Sequence, residues 1–191
     1  MDSIVLLNIN PMYLFKLIFL SSLITASLSF SNPWSEKLKL KVDNCVKSTY
    51  PEVDYDLMPM KISVLQEEKT KLDIENNLYT IKGNTGTIGY IFVEQAPSMK
   101  NVFDYAVVLS PELEIVNTKV LIYREQHGRQ IGAKRWLQQF FNMDNSSRPV
   151  LGKDVDGITG ATISATSMTN AVHDLLVDID YLKSQGCFTN D

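Results

Sequence analysis

The residues best suited to chemistry lie late in the chain, in Asp156-Gly157-Ile158-Thr159-Gly160-Ala161-Thr162, followed by Ile163-Ser164 and a long amphipathic segment. Small residues and hydroxyls stand directly ahead of a predicted helix. The first amides of a helix have no partner within it, and the helix dipole puts its positive end there, so an anion such as a phosphate is favoured. Gly157 and Gly160 open backbone conformations closed to other residues, Ala161 leaves room for a bulky ligand, and Thr162 offers a hydroxyl beside them. The same pattern also describes a glycine-containing turn in which Thr159 or Ser164 does no more than cap the helix. Residue types and spacing leave both readings open.

A domain that presents such a segment must supply a core. With 191 residues, 45% of them apolar, the chain is long enough for one domain. A net charge of -4, from 18 basic and 22 acidic residues, gives no general attraction for nucleic acid, and no Lys/Arg stripe is interleaved with aromatics. The N-terminal stretch is of another kind. Tyr13 to Phe30 is almost entirely apolar or small, broken only by Lys16, and runs into Ser31-Asn32-Pro33. Residues 1–31 are therefore expected to be a signal peptide or an N-terminal membrane anchor, with the folded domain at 32–191.

Within that domain the apolar residues Trp34, Leu38, Val42, Cys45 and Val46 recur at helical spacing, with Ser35 placed to cap a helix that ends before Pro51. A strand is expected around Leu57 to Leu65, disturbed by Pro59 and so at a sheet edge. Turn signals at Asn76-Asn77, Asn84-Thr85-Gly86 and Ser110-Pro111-Glu112 separate β-rich runs at Leu78–Lys82, Thr87–Val93, Asp104–Leu109 and Glu114–Tyr123. In the last run Val116, Thr118, Val120 and Ile122 alternate with Asn117 and Lys119, which predicts one core face and one polar face. A polar loop from Tyr123 to Gly132 leads to a helix from about Ala133 to Phe141. The final helix carries Met168, Ala171, Val172, Leu175, Leu176, Ile179 and Leu182 on one stripe, with Asn170, Asp174, Asp178 and Lys183 opposite, and Gly186 stands where it should end. The expected fold is α+β: a mostly antiparallel β-meander packed with an N-terminal, a mid-chain and a long C-terminal helix.

Other chemistries lack their residues. His127 and His173 are the only histidines and have no metal-ligand spacing, so no metal-binding residues are assigned. Neither a G-x-S-x-G elbow nor the G-x-G-x-x-G dinucleotide fingerprint occurs. Cys45 and Cys187 are either a disulfide or two unrelated thiols.

The segment D-x-x-[ST]-G-A-T resembles the flavinylation motif of the FMN-binding domain family, which includes the covalent-FMN subunits of the sodium-pumping NADH:quinone oxidoreductase and of Rnf complexes. The resemblance implies that Thr162 carries FMN through a phosphoester, attached from FAD by a magnesium-dependent flavin transferase. Asp156, Thr159, Gly160 and Ala161 fill the other motif positions, Gly157 lies within the motif, and Ser164 stands where the family often has Thr or Ser. The family's H-x-E-[ST]-P-G-[LI]-G loop is matched by Arg124-Glu125-Gln126-His127-Gly128, with Gly132 after a short insertion and His127 in place of the proline. Glu125, Gly128 and Gly132 are accordingly implied at the cofactor. Read from the residues, Glu125 either hydrogen-bonds the flavin ring or pairs with Arg129 in solvent. Arg129, Lys134 and Arg135 are candidates to offset phosphate charge, and Asp156 to serve the modification step. The implied function is an electron-transfer flavoprotein, exported to the periplasm or the outer face of the cytoplasmic membrane, with membrane or envelope redox proteins as donor and acceptor. It is an electron carrier more than a stand-alone catalyst, with a small flavin-dependent reductase and a non-flavinylated module of the same fold as the alternatives.

Overall fold

The chain enters its domain through a helix that its own sequence punctuates. Ser35 accepts a hydrogen bond from Leu38 N at 3.3 Å and starts α1 at Glu36–Thr49. The computed structural model describes residues 34–188, so the signal peptide or anchor expected at 1–31 lies outside the described residues. Among the described residues no helix is long and apolar enough to cross a membrane.

After α1 come β1 (Tyr55–Pro59) and the short helices α2 (Val64–Glu67) and α3 (Ile74–Asn77). Four longer strands follow, β2 (Leu78–Gly83), β3 (Gly86–Pro97), β4 (Val102–Leu109) and β5 (Ile115–Ile122). They pair in sequence order, β1-β2-β3-β4-β5, and every neighbour is antiparallel. A 3₁₀ turn (Arg129–Gly132), the one-turn helix α4 (Lys134–Leu137) and a second 3₁₀ turn (Gln138–Phe140) lead on to α5 (Thr162–Ser184). The fold is the expected α+β meander with helices on its faces.

The sheet is covered on both sides because its strands alternate between two apolar sets. Tyr79, Ile81, Ile91, Val93, Ala106 and Val108 face α1 and pack on Val42, Cys45 and Val46. The intervening residues Leu78, Tyr90, Phe92, Tyr105, Val107 and Leu109 face α5 and pack with Met168, Val172, Leu175, Leu176, Ile179 and Leu182. Each fully buried aliphatic side chain of that stripe contributes about 1.5–3 kcal/mol relative to exposure, which fixes α5 firmly across the sheet.

Several expectations are corrected. The first strand lies earlier, at Tyr55–Pro59, and stops at the proline, while Leu65 falls in α2; its edge position is as expected. The mid-chain helix is one α-turn followed by a 3₁₀ turn, because no side chain caps it and its apolar residues are too few to hold a longer rod. The polar residues of β5 have the polar surroundings expected of them, supplied by the end of α1: Asn117 donates to Thr49 Oγ1 at 2.7 Å and Lys119 to Ser48 Oγ at 3.3 Å. Asp178, placed by spacing on the outer side of α5, is only 1% exposed and accepts hydrogen bonds from Lys71 N and Leu72 N. Burial raises its pKa, against the lowering effect of those amides. The two cysteines are free thiols. Cys45 belongs to the core under α1 and Cys187 packs at the other, where Gln66 Nε2 donates to its sulfur at 3.1 Å.

Candidate functional site

The start of α5 is held from below and left open above. Trp136 of α4 is nearly buried, packs edge-on against Phe140 and donates its indole N–H to Asp156 O at 2.7 Å. Asp156 N in turn donates to Gln139 Oε1 at 2.9 Å. The short mid-chain helix thus fixes the backbone where the motif begins. At its end Gly160 is left-handed, with φ at 80°, and turns the chain into the helix at Ala161. Ala161 stands at the N-cap and no side chain caps the helix. The capping reading therefore fails for both of its residues. Thr159 is exposed, and the hydroxyl of buried Ser164 lies 3.1 Å from Tyr123 Oη instead. Among the described residues the amides of Thr162, Ile163 and Ser164 have no protein acceptor, whereas that of Ala165 reaches Ala161 O.

Thr162 is the first residue of α5 and is exposed, its hydroxyl making one long contact of 3.5 Å to Ile158 O. The loop that follows β5 is drawn against this helix start. Gly128 has φ at 78°, and a Cβ there would come within 2.7 Å of Tyr123 Oη, 3.1 Å of Ala161 Cβ and 3.4 Å of Gly160 O. Only a glycine fits that approach without displacing a neighbour.

Glu125 is held by the hairpin that faces it. Its Oε1 accepts from Ser98 Oγ at 2.8 Å, Lys100 N at 2.6 Å and Asn101 N at 2.9 Å, all in the turn between β3 and β4. These donors, the Lys100 amide foremost and then the Ser98 hydroxyl, hold its carboxyl below the usual range. Among the described residues it makes no ion pair with Arg129. The preceding Arg124 grips the same hairpin, with Nη1 donating to Val102 O at 3.1 Å and Nη2 lying 2.6 Å from Asp104 Oδ2.

Hairpin, loop and helix start enclose a cavity of about 630 Å³. Of the residues expected at the site, Glu125, Gly160, Ala161, Thr162 and Ser164 line it. Gly128 and Gly160 border an adjoining cavity of about 520 Å³ together with Arg129. Gly132 and Lys134 border another cavity, beside the end of α1. Asp156, Gly157 and Thr159 are exposed on the approach to α5 and do not line these cavities, and Arg135 is exposed on α4. Gly157, unlike Gly160, does not use a left-handed conformation.

The sequence reading missed the hairpin contribution. Met99, Lys100 and Asn101 line the cavity from the turn, with Tyr123, Arg124, Gln126, His127 and Ile163 completing the lining. Met99 and Ile163 are large apolar side chains left 74% and 52% exposed. Nothing in the local pattern marks a four-residue turn as part of a site more than twenty residues away; the available signal was the pair of turn-capable residues Ser98 and Asn101 between two strong strands.

The charge on the walls is mixed, with Lys100 and Arg124 set against Glu125. What the geometry offers is an anion seat at a helix start, a hydroxyl beside it, and a partly apolar recess next to both. No curated protein matches the chain. Residues 100–177, which run from that hairpin through the loop and the Thr162 motif into α5, match the family model described as FMN-binding domain, and an FMN-binding domain is present in this chain.

Proposed function

We propose that the chain is a cell-envelope electron-transfer flavoprotein in which FMN is joined through its phosphate to Thr162 Oγ1. The observation that carries this reading is an exposed threonine hydroxyl on the first residue of an uncapped helix, at the edge of a cavity of about 630 Å³, within the segment matched to the FMN-binding domain. A cavity of that size lies within the roughly 300–1,000 Å³ range usual for cofactor sites.

The residues fit the group. The amides of Thr162, Ile163 and Ser164 are free to donate to phosphate oxygens, and the dipole of a 23-residue helix adds its positive end. Ala161 keeps the approach clear. Once attached, FMN would supply reversible uptake and release of electrons. Thr162 is an anchor in this scheme and takes no part in electron transfer. In maturation its hydroxyl displaces AMP from FAD on a magnesium-dependent flavin transferase and gives up its proton. The exposed carboxylate of Asp156, six residues before the anchor and held by backbone alone, is available for recognition by that transferase.

The apolar N-terminal stretch supports export, to the periplasm or the outer face of the cytoplasmic membrane, where a tethered cofactor is not lost. Donor and acceptor are then membrane or envelope redox proteins, as in the sodium-pumping NADH:quinone oxidoreductase and Rnf assemblies. The test is co-expression of the full chain with a flavin transferase. The expected product fluoresces in a denaturing gel and carries one FMN, less water, on the peptide containing Thr162, and the Thr162→Ala chain carries none. Covalent flavin on Thr162→Ala, or none on the wild type, would overturn the proposal.

A further inference from the structure

We infer that the Ser98–Asn101 turn is a positioning element for the flavin ring, with Met99 covering one face of the ring opposite Ile163 and Glu125 holding Met99 in place; the inference rests on the FMN reading above. Two of the exposed large apolar side chains, Met99 and Ile163, line the same cavity as Thr162. They come from separate elements, one from the β3–β4 turn and one from the residue after the anchor. A flavin ring is flat, apolar on both faces and polar along its edge. The unbranched, polarizable methionine side chain suits one such face, and the branched Ile163 the other. Asn101 and Gln126, on the same cavity, can serve the polar edge.

The turn is not left to find this position by chance. Glu125 Oε1 gathers the amides of Lys100 and Asn101 and the hydroxyl of Ser98, while Ser98 N donates to Asn101 O at 2.8 Å. One carboxylate oxygen therefore locks the backbone on the C-terminal side of Met99 and the side chain on its N-terminal side. Arg124 fixes the strand leaving the turn through Val102 O and Asp104. Two consecutive residues of the loop after β5 thus hold the hairpin, and Glu125 acts on the ring through Met99.

The experiment uses the full chain, matured with a flavin transferase, as wild type, Met99→Ala, Glu125→Ala and Glu125→Gln. Mass spectrometry reads the loading, and iodide quenching of the covalent flavin reads the exposure of the ring. With Ile163 on one face and Met99 on the other, removing Met99 opens a face that was closed, so the quenching constant rises at least about twofold in Met99→Ala. Glu125→Ala rises equally. Glu125→Gln, which keeps an acceptor oxygen, stays nearer the wild type. Combining Met99→Ala with Glu125→Ala adds nothing, because both act through one contact. Fully loaded Met99→Ala or Glu125→Ala with wild-type quenching would overturn this inference and leave the FMN assignment standing. A wild type without covalent flavin would overturn both.

Discussion

Replacing Gly128 by alanine tests whether the loop after β5 is drawn onto the start of α5 as tightly as the distances say. Two separate costs apply. At φ 78° a left-handed backbone costs alanine about 1–2 kcal/mol, and the narrower unfolded ensemble of alanine returns about 0.4–1 kcal/mol. The new Cβ would also stand 2.7 Å from Tyr123 Oη. The ring must move, and its contact with Ser164 Oγ at 3.1 Å is lost, which costs about 1 kcal/mol. Crowding against Ala161 Cβ and Gly160 O adds to this, for a total of about 2–3 kcal/mol.

Gly160 supplies the control. Its φ of 80° is nearly the same, yet a Cβ there meets nothing within 4 Å, so Gly160→Ala carries only the backbone term, a net of about 0.5–1 kcal/mol. Urea unfolding followed by circular dichroism gives both numbers from the shift in midpoint at constant slope. Tyr123→Phe completes a cycle. It removes the obstructing oxygen along with the hydrogen bond, so the Gly128→Ala/Tyr123→Phe pair should cost about 1 kcal/mol less than the sum of the single changes. Equal destabilisation by Gly128→Ala and Gly160→Ala, or strict additivity in the cycle, would refute the packing argument.

Two more predictions concern the buried Asp178 and the half-buried Glu94. Asp178→Ala leaves the amides of Lys71 and Leu72 without their acceptor and should destabilise by about 2–4 kcal/mol, with Asp178→Asn costing less because one oxygen remains; equilibrium unfolding of the two variants decides. Glu94 is pushed up to about 7 from its ordinary 4.5, first by burial and then by Asp73 and Asp178. Its proton is held more tightly in the folded chain, so its contribution to stability is complete below 4.5 and is lost as pH rises towards 7. Thermal melts across that window should show the wild type losing ground against Glu94→Gln as pH rises, and parallel curves would contradict the sign.

Much of the frame was legible in the sequence because it is encoded locally. The Ser35 cap, the stripe of α5 and the β-rich runs at β3 and β4 are local patterns, and the structure reproduces them. The segment from Asp156 to Thr162 could likewise be read as a helix start. What escaped were interactions between distant residues. Asp178 has the spacing of a surface residue, and only the passage of Lys71 and Leu72 beside it makes it a buried acceptor. The polar residues of β5 were readable as polar-facing, but not that the end of α1 is what receives them. Glu125 was readable as polar and near the site, but its donors lie 24 to 27 residues away on a turn that has no motif of its own.

The two long helices begin in opposite ways, and this bears on how the domain breathes. Ser35 closes the first turn of α1 with its own oxygen, whereas α5 opens on an alanine and forgoes the roughly 1 kcal/mol that a capping side chain brings. The far end of α5 is locked into the core, so its first turn should fray alone, and amide exchange at Thr162, Ile163 and Ser164 should run ahead of the rest of the helix. An anion tethered at that point would slow the same three amides. Their exchange rates then become a gauge, independent of colour or fluorescence, of whether the helix start has gained the acceptor its sequence omits.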